Sequence, residues 1–326
     1  MKSKTNFPGI AFNRWNVVKL LVSAAILIVI ISRLQQSRDI VQVLLSIDLL
    51  WLLPAAGAAL LHFVLSYLRW SFALRSIGSL KVTAAQIWRS LIGGVTLGLI
   101  TPGGIGELAR GIIVDTENFW EVSGISVIDK GFAHMIALFL GIAGMAVLGM
   151  AQFSLTLFQL VLIYGVLALL SIVAVMVLFR PDVSGNVLLR ISRKLPRRFE
   201  GWLHPLGTQM QNLTRRQTAF MLTISLIINC GVFLEFFLFL RAFTPAAVWE
   251  TFWAFEVAYL GTTLLPISFS NLGVQEGLRI LVIGLTGVPA TAIFHASLLV
   301  FTSNVLIPGI IGYFFIAKIR LPEKYT

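Results

Sequence analysis

The chain has 326 residues, of which 57% are hydrophobic and 12% are charged, and its formal net charge is +11. A water-soluble domain carries about twice that share of charged residues, so the composition excludes a soluble globular protein and indicates an integral membrane protein. The single cysteine, Cys230, excludes an intrachain disulfide and a cysteine cluster for zinc or iron–sulfur.

Long apolar runs follow one another along the chain and predict its membrane spans. None alternates with period two as barrel strands do, so helices are the predicted spanning elements, because a helix satisfies its own backbone hydrogen bonds in lipid. Residues 1–36 combine a basic start with an apolar run and lack a small-residue cleavage site, which predicts an uncleaved first helix. The apolar runs are 16–32, 49–68, 84–100, 124–150, 155–179, 217–241, 248–264, 277–288 and 290–317.

The basic residues between the runs predict the topology. Lysine and arginine are concentrated at the two termini and in the connections 69–83 and 180–216, which the positive-inside rule places in the cytoplasm. With these four regions inside, segments 84–122 and 248–288 must each begin and end on one side of the membrane, as re-entrant hairpins that turn at TPGGIG and PISFSNLG. The predicted fold is therefore an all-α polytopic membrane protein, with about six transmembrane helices, two re-entrant hairpins and both termini in the cytoplasm.

The order of these elements predicts an inverted repeat within one membrane domain, residues 1–326. Residues 10–150 form the first half, and residues 155–318 form the second half with the same elements in the opposite orientation. The basic linker 180–216 is predicted to lie at the cytoplasmic interface, where residues 185–216 face anionic lipid. Inverted repeats with helices broken near the midplane are typical of secondary transporters, whose substrate site lies at the repeat interface.

The two predicted hairpins share the spacing G-x-x-E-x-x-R directly after their turns. A charge at membrane depth costs about 2.5–3.5 kcal/mol on insertion scales, and such residues usually face a cavity. The glutamates are interpreted either as helix caps paired with their arginines or as part of a headgroup path, and the arginines as phosphate contacts, since a guanidinium binds phosphate bidentately. The shared residues are Gly104, Glu107 and Arg110 in the first copy and Gly273, Glu276 and Arg279 in the second. The predicted helix breaks are Pro102, Gly103, Gly104, Pro266 and Gly273.

Asp129 and Lys130 open the helix that follows the first hairpin. They are interpreted either as a carboxylate at a helix N-terminus beside a snorkelling lysine, or as lining of the same substrate cavity, because this helix must pack on the hairpin. The corresponding helix of the second half offers His295 instead. A lone histidine in an apolar helix is more often a packed core residue than a functional one, and the functional alternative is that His295 carries a coupling proton.

Three further polar residues are candidates for function. Glu235 and Glu256 lie in the middle of apolar runs and are hypothesised to carry coupling protons. Asn271 is expected either among the substrate contacts or as a partner for the backbone of the broken helix. The chain has no Walker loop, no H-E-x-x-H motif and no nucleophile elbow, so no metal, no cofactor and no catalytic residue are predicted.

Three stretches, LITPGGIGELARG, VIDKGFAH and LLPISFSNLGVQEGLRILVIGLTGVP, resemble the flippase-like family that includes the transmembrane region of bacterial lysylphosphatidylglycerol synthases. The resemblance covers about residues 10–318. It implies a protein of the bacterial cytoplasmic (inner) membrane that moves a lipid between leaflets, which in the fused enzymes is aminoacylated phosphatidylglycerol. This chain lacks the soluble aminoacyl-transferring domain of the fused form, so aminoacylation is not expected. The resemblance also includes stand-alone members associated with envelope glycolipid, hopanoid or prenyl-lipid pathways.

The expected function is therefore that of a lipid transporter, flippase- or scramblase-like, for a phosphate-bearing or glycosylated envelope lipid. Two alternatives stay open, an intramembrane lipid-modifying transferase and a non-transporting partner subunit of an envelope lipid synthesis enzyme. The nearest acidic pair for a transferase is Asp115 and Glu117. Membrane lipid is the expected partner and nucleic acid is not, because the basic residues lie between apolar runs. A homo-oligomer and a complex with an envelope-biosynthesis enzyme are both left open.

Overall fold

The computed structural model describes residues 28, 32, 47–99, 101, 104–114, 119–152, 161, 164–165, 168–169, 171–172, 176, 180–194, 197–265, 268 and 270–316. Throughout this part of the chain the secondary structure is helical, with no strand. The α-helices are α1 (Leu52–Phe72), α2 (Ala84–Leu99), α3 (Gly111–Val114), α4 (Phe119–Gln152), α5 (Pro181–Ser192), α6 (Arg197–Gln211), α7 (Arg215–Arg241), α8 (Val248–Leu264), α9 (Val274–Ile283), α10 (Ala290–Phe301) and α11 (Ile307–Ile316).

Four helical stretches of the described chain are long and apolar enough to cross a membrane. Two of them join several elements, because a 3-10 turn precedes α1, a π-helical turn follows it, and another π-helical turn links α10 to α11. The prediction of an all-helical membrane protein is confirmed. Two of the six predicted spans, 16–32 and 155–179, lie largely outside the described residues. The four stretches are Leu49–Ile77, Phe119–Gly149, Arg215–Arg241 and Ala290–Ile316.

Both predicted hairpin segments consist of two helical arms separated by a break. In the first, α2 ends at Leu99, and a 3-10 turn, Ile105–Arg110, leads into α3. In the second, α8 ends at Leu264 and α9 begins at Val274. The predicted break residues Pro102, Gly103 and Pro266 lie outside the described residues.

Glycine provides the backbone conformation at both breaks. Gly104 has φ +70° and Gly273 has φ +83°, values that a residue without a Cβ adopts readily. At the second break Ser270 and Asn271 also have positive φ, +47° and +59°. The two breaks touch, since the backbone N–H of Ser270 donates to the carbonyl oxygen of Thr101 at 3.5 Å.

The helices of the two predicted halves pack across each other in a reciprocal way. The first arm of the second segment, α8, packs on α4, while the first arm of the first segment, α2, packs on α11, and α1 packs on α7. Glycines allow the close approach: a methyl group on Gly144 would lie 2.7 Å from the Trp253 carbonyl oxygen, and one on Gly312 would lie 2.5 Å from that of Ile92. Each broken segment is thereby held against the last helix of the other half.

The basic linker forms the helices α5 and α6, which pack side by side. A methyl group on Gly185 would lie 2.6 Å from the carbonyl oxygen of Gly207, so the two backbones are nearly in contact. The α6 helix packs on α4, where the Gln209 amide donates to the Glu121 carbonyl at 3.0 Å. The linker thus packs against the helix that follows the first broken segment, and its predicted place at the interface stays a prediction.

Candidate functional site

A network of ion pairs lies beside the first break and joins α1, the 3-10 turn and α4. The Asp129 carboxylate binds the Nε of Arg69 at 2.8 Å and accepts a hydrogen bond from a terminal nitrogen of Arg69 at 3.3 Å and from one of Arg110 at 3.5 Å. All three side chains are buried. Buried charges are stable only when they are paired. Asp129 is the shared carboxylate that pairs with both buried arginines, Arg69 and Arg110.

Small and aromatic residues shape the space around Arg110. A methyl group on Gly94 of α2 would lie 2.6 Å from Arg110 Cγ, and one on Gly98 would lie 2.8 Å from Glu107 Cγ. The pair Gly94-x-x-x-Gly98 therefore makes room for the two charged side chains of the other arm. On the opposite side, the Arg110 guanidinium carbon lies 4.6 Å from the centre of the Trp70 ring, a cation–π distance, and the Trp70 indole N–H donates to Ser90 at 2.8 Å.

The accessible side of this network is formed by Glu107 and Lys130. Lys130 Nζ and Glu107 Oε2 form a close ion pair, and the same oxygen accepts from Arg110 at 3.4 Å. The side chains of Glu107 and Lys130 are 24% and 29% exposed, whereas those of Arg110 and Asp129 are 3% and 1% exposed. We name Arg69, Glu107, Arg110, Asp129 and Lys130 the charged cluster. With three cations and two carboxylates, it has one positive charge in excess.

The sequence predicts four residues of this cluster as site residues, and the structure brings them together. It does not predict Arg69, because the predicted cytoplasmic connection starts at residue 69. In the structure α1 continues past it to Phe72, and Arg69 is buried, pairing with Asp129 and donating to Ser225 on α7 at 3.4 Å. An arginine at the end of an apolar run can belong either to the transmembrane helix or to the loop that follows it. For Arg69, only the position of its partner Asp129 in the fold shows that it belongs to the helix.

The second copy of the motif is arranged differently. Glu276 closes the start of α9, where its Oε2 accepts from the Gly273 N–H at 2.6 Å, as the helix-cap interpretation predicts. Its other oxygen is buried and has no hydrogen-bond partner among the described residues. In the first copy the turn is 3-10, and Glu107 binds side chains instead.

Arg279 is buried and contacts aromatic rings and an amide. Its guanidinium carbon lies 5.0 Å from the ring centres of Phe236 and Phe255. With the Gln275 amide turned so that its oxygen faces the guanidinium, that oxygen accepts from both terminal nitrogens at 2.8 and 2.9 Å. No carboxylate oxygen of the described side chains lies within 4.0 Å of Arg279, so the intrahelical ion pair that the motif suggested forms only in the first copy.

The sequence explains why the second copy has no counterpart of Asp129. Ser297 precedes Gly312 by the same number of residues as Asp129 precedes Gly144, so alignment of these interface glycines places a serine where the first half has a carboxylate. His295, the predicted counterpart, is buried, and its ring stacks on Phe243 at 5.4 Å.

The remaining candidates lie apart from the charged cluster. The Glu256 carboxylate accepts from the Asn229 amide at 2.7 Å. The Glu235 carboxyl group lies 2.5 Å from the Ser303 hydroxyl and accepts from the Asn304 amide at 2.7 Å. The carbonyl of Asn271 accepts from the Gln275 N–H at 2.9 Å. Asn271 Oδ1 is buried without a hydrogen-bond partner in the described part of the chain. Asp115 and Glu117 lie outside the described residues.

An apolar cavity of about 410 Å³ lies between α4, α6 and α8. Its α4 wall includes Ile128 and Gly131, the residues that flank Asp129 and Lys130 in the sequence. Among the residues that the structure describes, no three His, Cys, Asp or Glu side chains are grouped closely enough to hold a metal ion. Representative lining residues are Gly131, His134, Leu206, Met210, Leu260 and Leu264.

Comparison with known proteins gives one family. No curated protein and no solved structure is significantly similar to the chain. The family model described as the lysylphosphatidylglycerol synthase TM region matches residues 16–312, which include every site residue described above and every helix except the end of α11. The resemblance stated from the sequence motifs is therefore confirmed. The chain is a multi-pass membrane protein that belongs to the lysylphosphatidylglycerol synthase TM region family.

Proposed function

We propose that the protein moves an envelope lipid with a phosphate-bearing or glycosylated headgroup between the leaflets of the bacterial inner membrane. The family supports a role with envelope lipids. One arrangement supports transport in particular. The two helix breaks are in contact at Thr101 and Ser270, and the charged cluster beside the first break has one positive charge in excess. Irregular backbone and paired charges at membrane depth are typical of a polar path through a transporter.

The charged cluster offers a route for an anionic headgroup. Lys130 and Glu107 are partly exposed, and a phosphate that displaces Glu107 from Lys130 would restore an ion pair there. Arg110 lies directly behind them, and its terminal nitrogen holds Glu107 and Asp129 only at 3.4 and 3.5 Å. We propose that Arg110 exchanges its carboxylate partners for the phosphate as the headgroup moves inward, which a bidentate guanidinium is suited to do.

The lipid tails need an apolar path outside this polar route. The 410 Å³ cavity is lined mainly by aliphatic and aromatic side chains of α4, α6 and α8, and its α4 wall includes Gly131, the residue after Lys130. A lipid whose headgroup binds at Lys130 and whose tails lie along this cavity would keep the headgroup in a polar environment and the tails in an apolar one. Asn271, Glu276 and Arg279 are proposed as the headgroup contacts at the second break.

The reciprocal packing supports the inverted repeat and the alternating movement of its halves. The α8–α4 and α2–α11 contacts use glycines at corresponding positions, and α1 and α7 pack on each other. This pattern is expected if the two broken segments are re-entrant hairpins that enter from opposite sides and if residues 10–150 and 155–318 are inverted halves. Rocking of one half against the other would then expose the contact of the two breaks to each leaflet in turn.

Lipid transfer in proteoliposomes tests this proposal. We expect wild-type protein to move fluorescent phosphatidylglycerol between leaflets, and Arg110→Gln and Arg279→Gln to abolish the movement. The matched control is Arg89→Gln, because Arg89 is an exposed arginine on α2. All variants would first be shown to insert and fold.

The outcomes separate the alternatives. Transfer that survives both substitutions would contradict a path through the two breaks. No transfer of any anionic phospholipid or glycolipid would contradict the transport proposal. In that case a chemically altered lipid produced in a magnesium-dependent manner would identify a transferase. Complementation by a variant in which both motifs are neutralised would identify a partner subunit.

A further inference from the structure

Glu235 is a buried carboxyl group outside the proposed headgroup route. It lies on α7, and its two oxygens contact the π-helical turn Thr302–Leu306, where Ser303 Oγ lies 2.5 Å from Oε1 and Asn304 Nδ2 lies 2.7 Å from Oε2. Its side chain is fully buried. π-Helical turns inside helices are frequent at functional sites, because they unwind the regular backbone hydrogen bonds.

The hydroxyl of Ser303 contacts more acceptors than it has protons. Besides Glu235 Oε1, it lies 2.9 Å from the carbonyl oxygen of Leu299 and 3.1 Å from that of Val300. A hydroxyl donates only one hydrogen bond. If Ser303 donates to a carbonyl, the short contact with Glu235 requires a proton on the carboxyl. If Ser303 donates to Glu235, the carboxyl can be ionised.

We propose that Glu235 binds a proton that is taken up and released during each transport cycle. In the protonated form, the carboxyl O–H donates to Ser303 Oγ, and the serine donates to the Leu299 carbonyl. When the proton leaves to water, the serine hydroxyl turns and donates to the carboxylate. The Asn304 amide donates to Oε2 in both forms. Rotation of the Ser303 hydroxyl therefore provides Glu235 with hydrogen bonds in both its protonated and its ionised form.

This inference rests on the proposed function, and Arg279 connects the two. The Arg279 guanidinium carbon lies 5.0 Å from the ring centre of Phe236, the residue that follows Glu235 on α7, and no nitrogen of Arg279 lies within 4.0 Å of a Glu235 oxygen. A phosphate that binds Arg279 would neutralise this positive charge and favour a proton on Glu235. Because such coupling is reciprocal, a proton on Glu235 would favour the phosphate at Arg279 to the same degree. An anionic headgroup and a proton are thus expected to move together.

The other ionisable groups on the elements packed against α7 have different contacts. Glu256 on α8 binds Asn229, and Asp129 on α4 binds Arg69 on α1. His62 on α1 packs edge-on against Phe63, and His134 on α4 lines the apolar cavity. Lys130 on α4 binds Glu107, and Tyr259 on α8 stacks on Phe255. His295 on α10 stacks on Phe243, and Arg241 at the end of α7 lies over the Trp51 ring. On the neighbouring helix α9, Glu276 binds the Gly273 N–H.

The proton site is tested first without any lipid transfer. Infrared difference spectra of the reconstituted protein, recorded as pH changes, are expected to contain a carboxylic acid carbonyl band that Glu235→Gln removes. The matched control, Glu250→Gln, replaces an exposed glutamate of α8 and is expected to keep the band. Ser303→Ala is expected to keep the band and shift its frequency, because the carboxyl loses a hydrogen-bond partner. An identical spectrum in wild type and Glu235→Gln would overturn the proposal.

The coupling is then tested with a pH gradient across proteoliposomes that contain fluorescent phosphatidylglycerol. Coupling of one proton to one lipid predicts an accumulation of about tenfold in one leaflet for each pH unit, lost in Glu235→Gln. Transfer that ignores the pH gradient, or that follows a sodium gradient instead, would overturn the proton proposal and leave the transport proposal intact. A wild-type protein that shows the band but moves no lipid would overturn the coupling together with the proposed function, whereas the proton site itself would stand.

Discussion

Asp129 makes the charged cluster stable, and its replacement by asparagine is the most informative single change. Asparagine has almost the same shape, but its amide nitrogen is a donor where Asp129 Oδ2 accepts from both Arg69 and Arg110 at 3.3 and 3.5 Å. The substitution leaves two buried arginines without their shared carboxylate. Removal of one partner from a buried ion pair costs about 3–5 kcal/mol, so we expect Asp129→Asn to lower the free energy of unfolding by that amount.

The loss should depend on Arg69. Arg69→Gln removes the closest cation, whose Nε lies 2.8 Å from Asp129, so in that background Asp129→Asn leaves one buried arginine instead of two. We expect a coupling energy of about 1–3 kcal/mol from the double-mutant cycle, measured by reversible unfolding in mixed micelles. The control is Asp182→Asn, because Asp182 is 63% exposed and 3.9 Å from its arginine, so less than about 1 kcal/mol is expected. Equal losses at Asp129 and Asp182 would refute the account of the cluster.

Three further predictions concern the two breaks and their stability. Gly94→Ala places a methyl group 2.6 Å from Arg110 Cγ and is expected to cost about 1–3 kcal/mol, whereas Gly57→Ala, with no atom within 4 Å, should be neutral or slightly stabilising in the same thermal unfolding assay. Gly273→Ala forces φ +83° on a residue with a Cβ, so a loss of about 1–3 kcal/mol is expected, and a neutral result would contradict the backbone assigned to the second break. Glu276→Ala should cost about 0.5–2 kcal/mol by removing the acceptor for the Gly273 N–H, and Glu276→Gln, which keeps an acceptor, should cost less; equal losses would show that the cap does not depend on an acceptor.

Two helices in the described part of the chain follow from the sequence almost residue by residue. The apolar run predicted at 217–241 is the helix Arg215–Arg241, and the run at 248–264 is Val248–Leu264. Both are long, apolar and bounded by polar or helix-breaking residues, so local composition is enough to define them. The breaks were equally clear, because glycine at positive φ has few substitutes.

The site was predictable only in part, because its members come from separate helices. The motif spacing predicted contact between Glu107 and Arg110, and these side chains do meet at 3.4 Å. The same spacing fails for Glu276 and Arg279, since one caps the helix and the other turns toward Phe236 and Phe255. The spacing of residues in the sequence determines which face of a helix a side chain occupies. The partner of that side chain depends on which other helices pack against this face.

The central claim is that the two broken segments meet at Thr101 and Ser270 and that their movement carries the lipid. In a Cys230→Ser background, which removes the single native cysteine, Thr101→Cys and Ser270→Cys would place two thiols at this contact, where the backbones are 3.5 Å apart. We predict that oxidation cross-links them in proteoliposomes and stops lipid transfer, and that a reducing agent restores it. Either single-cysteine variant serves as the control for oxidation alone. A cross-link that forms fully and leaves transfer unchanged would contradict the claim, as would two thiols that never form a bond.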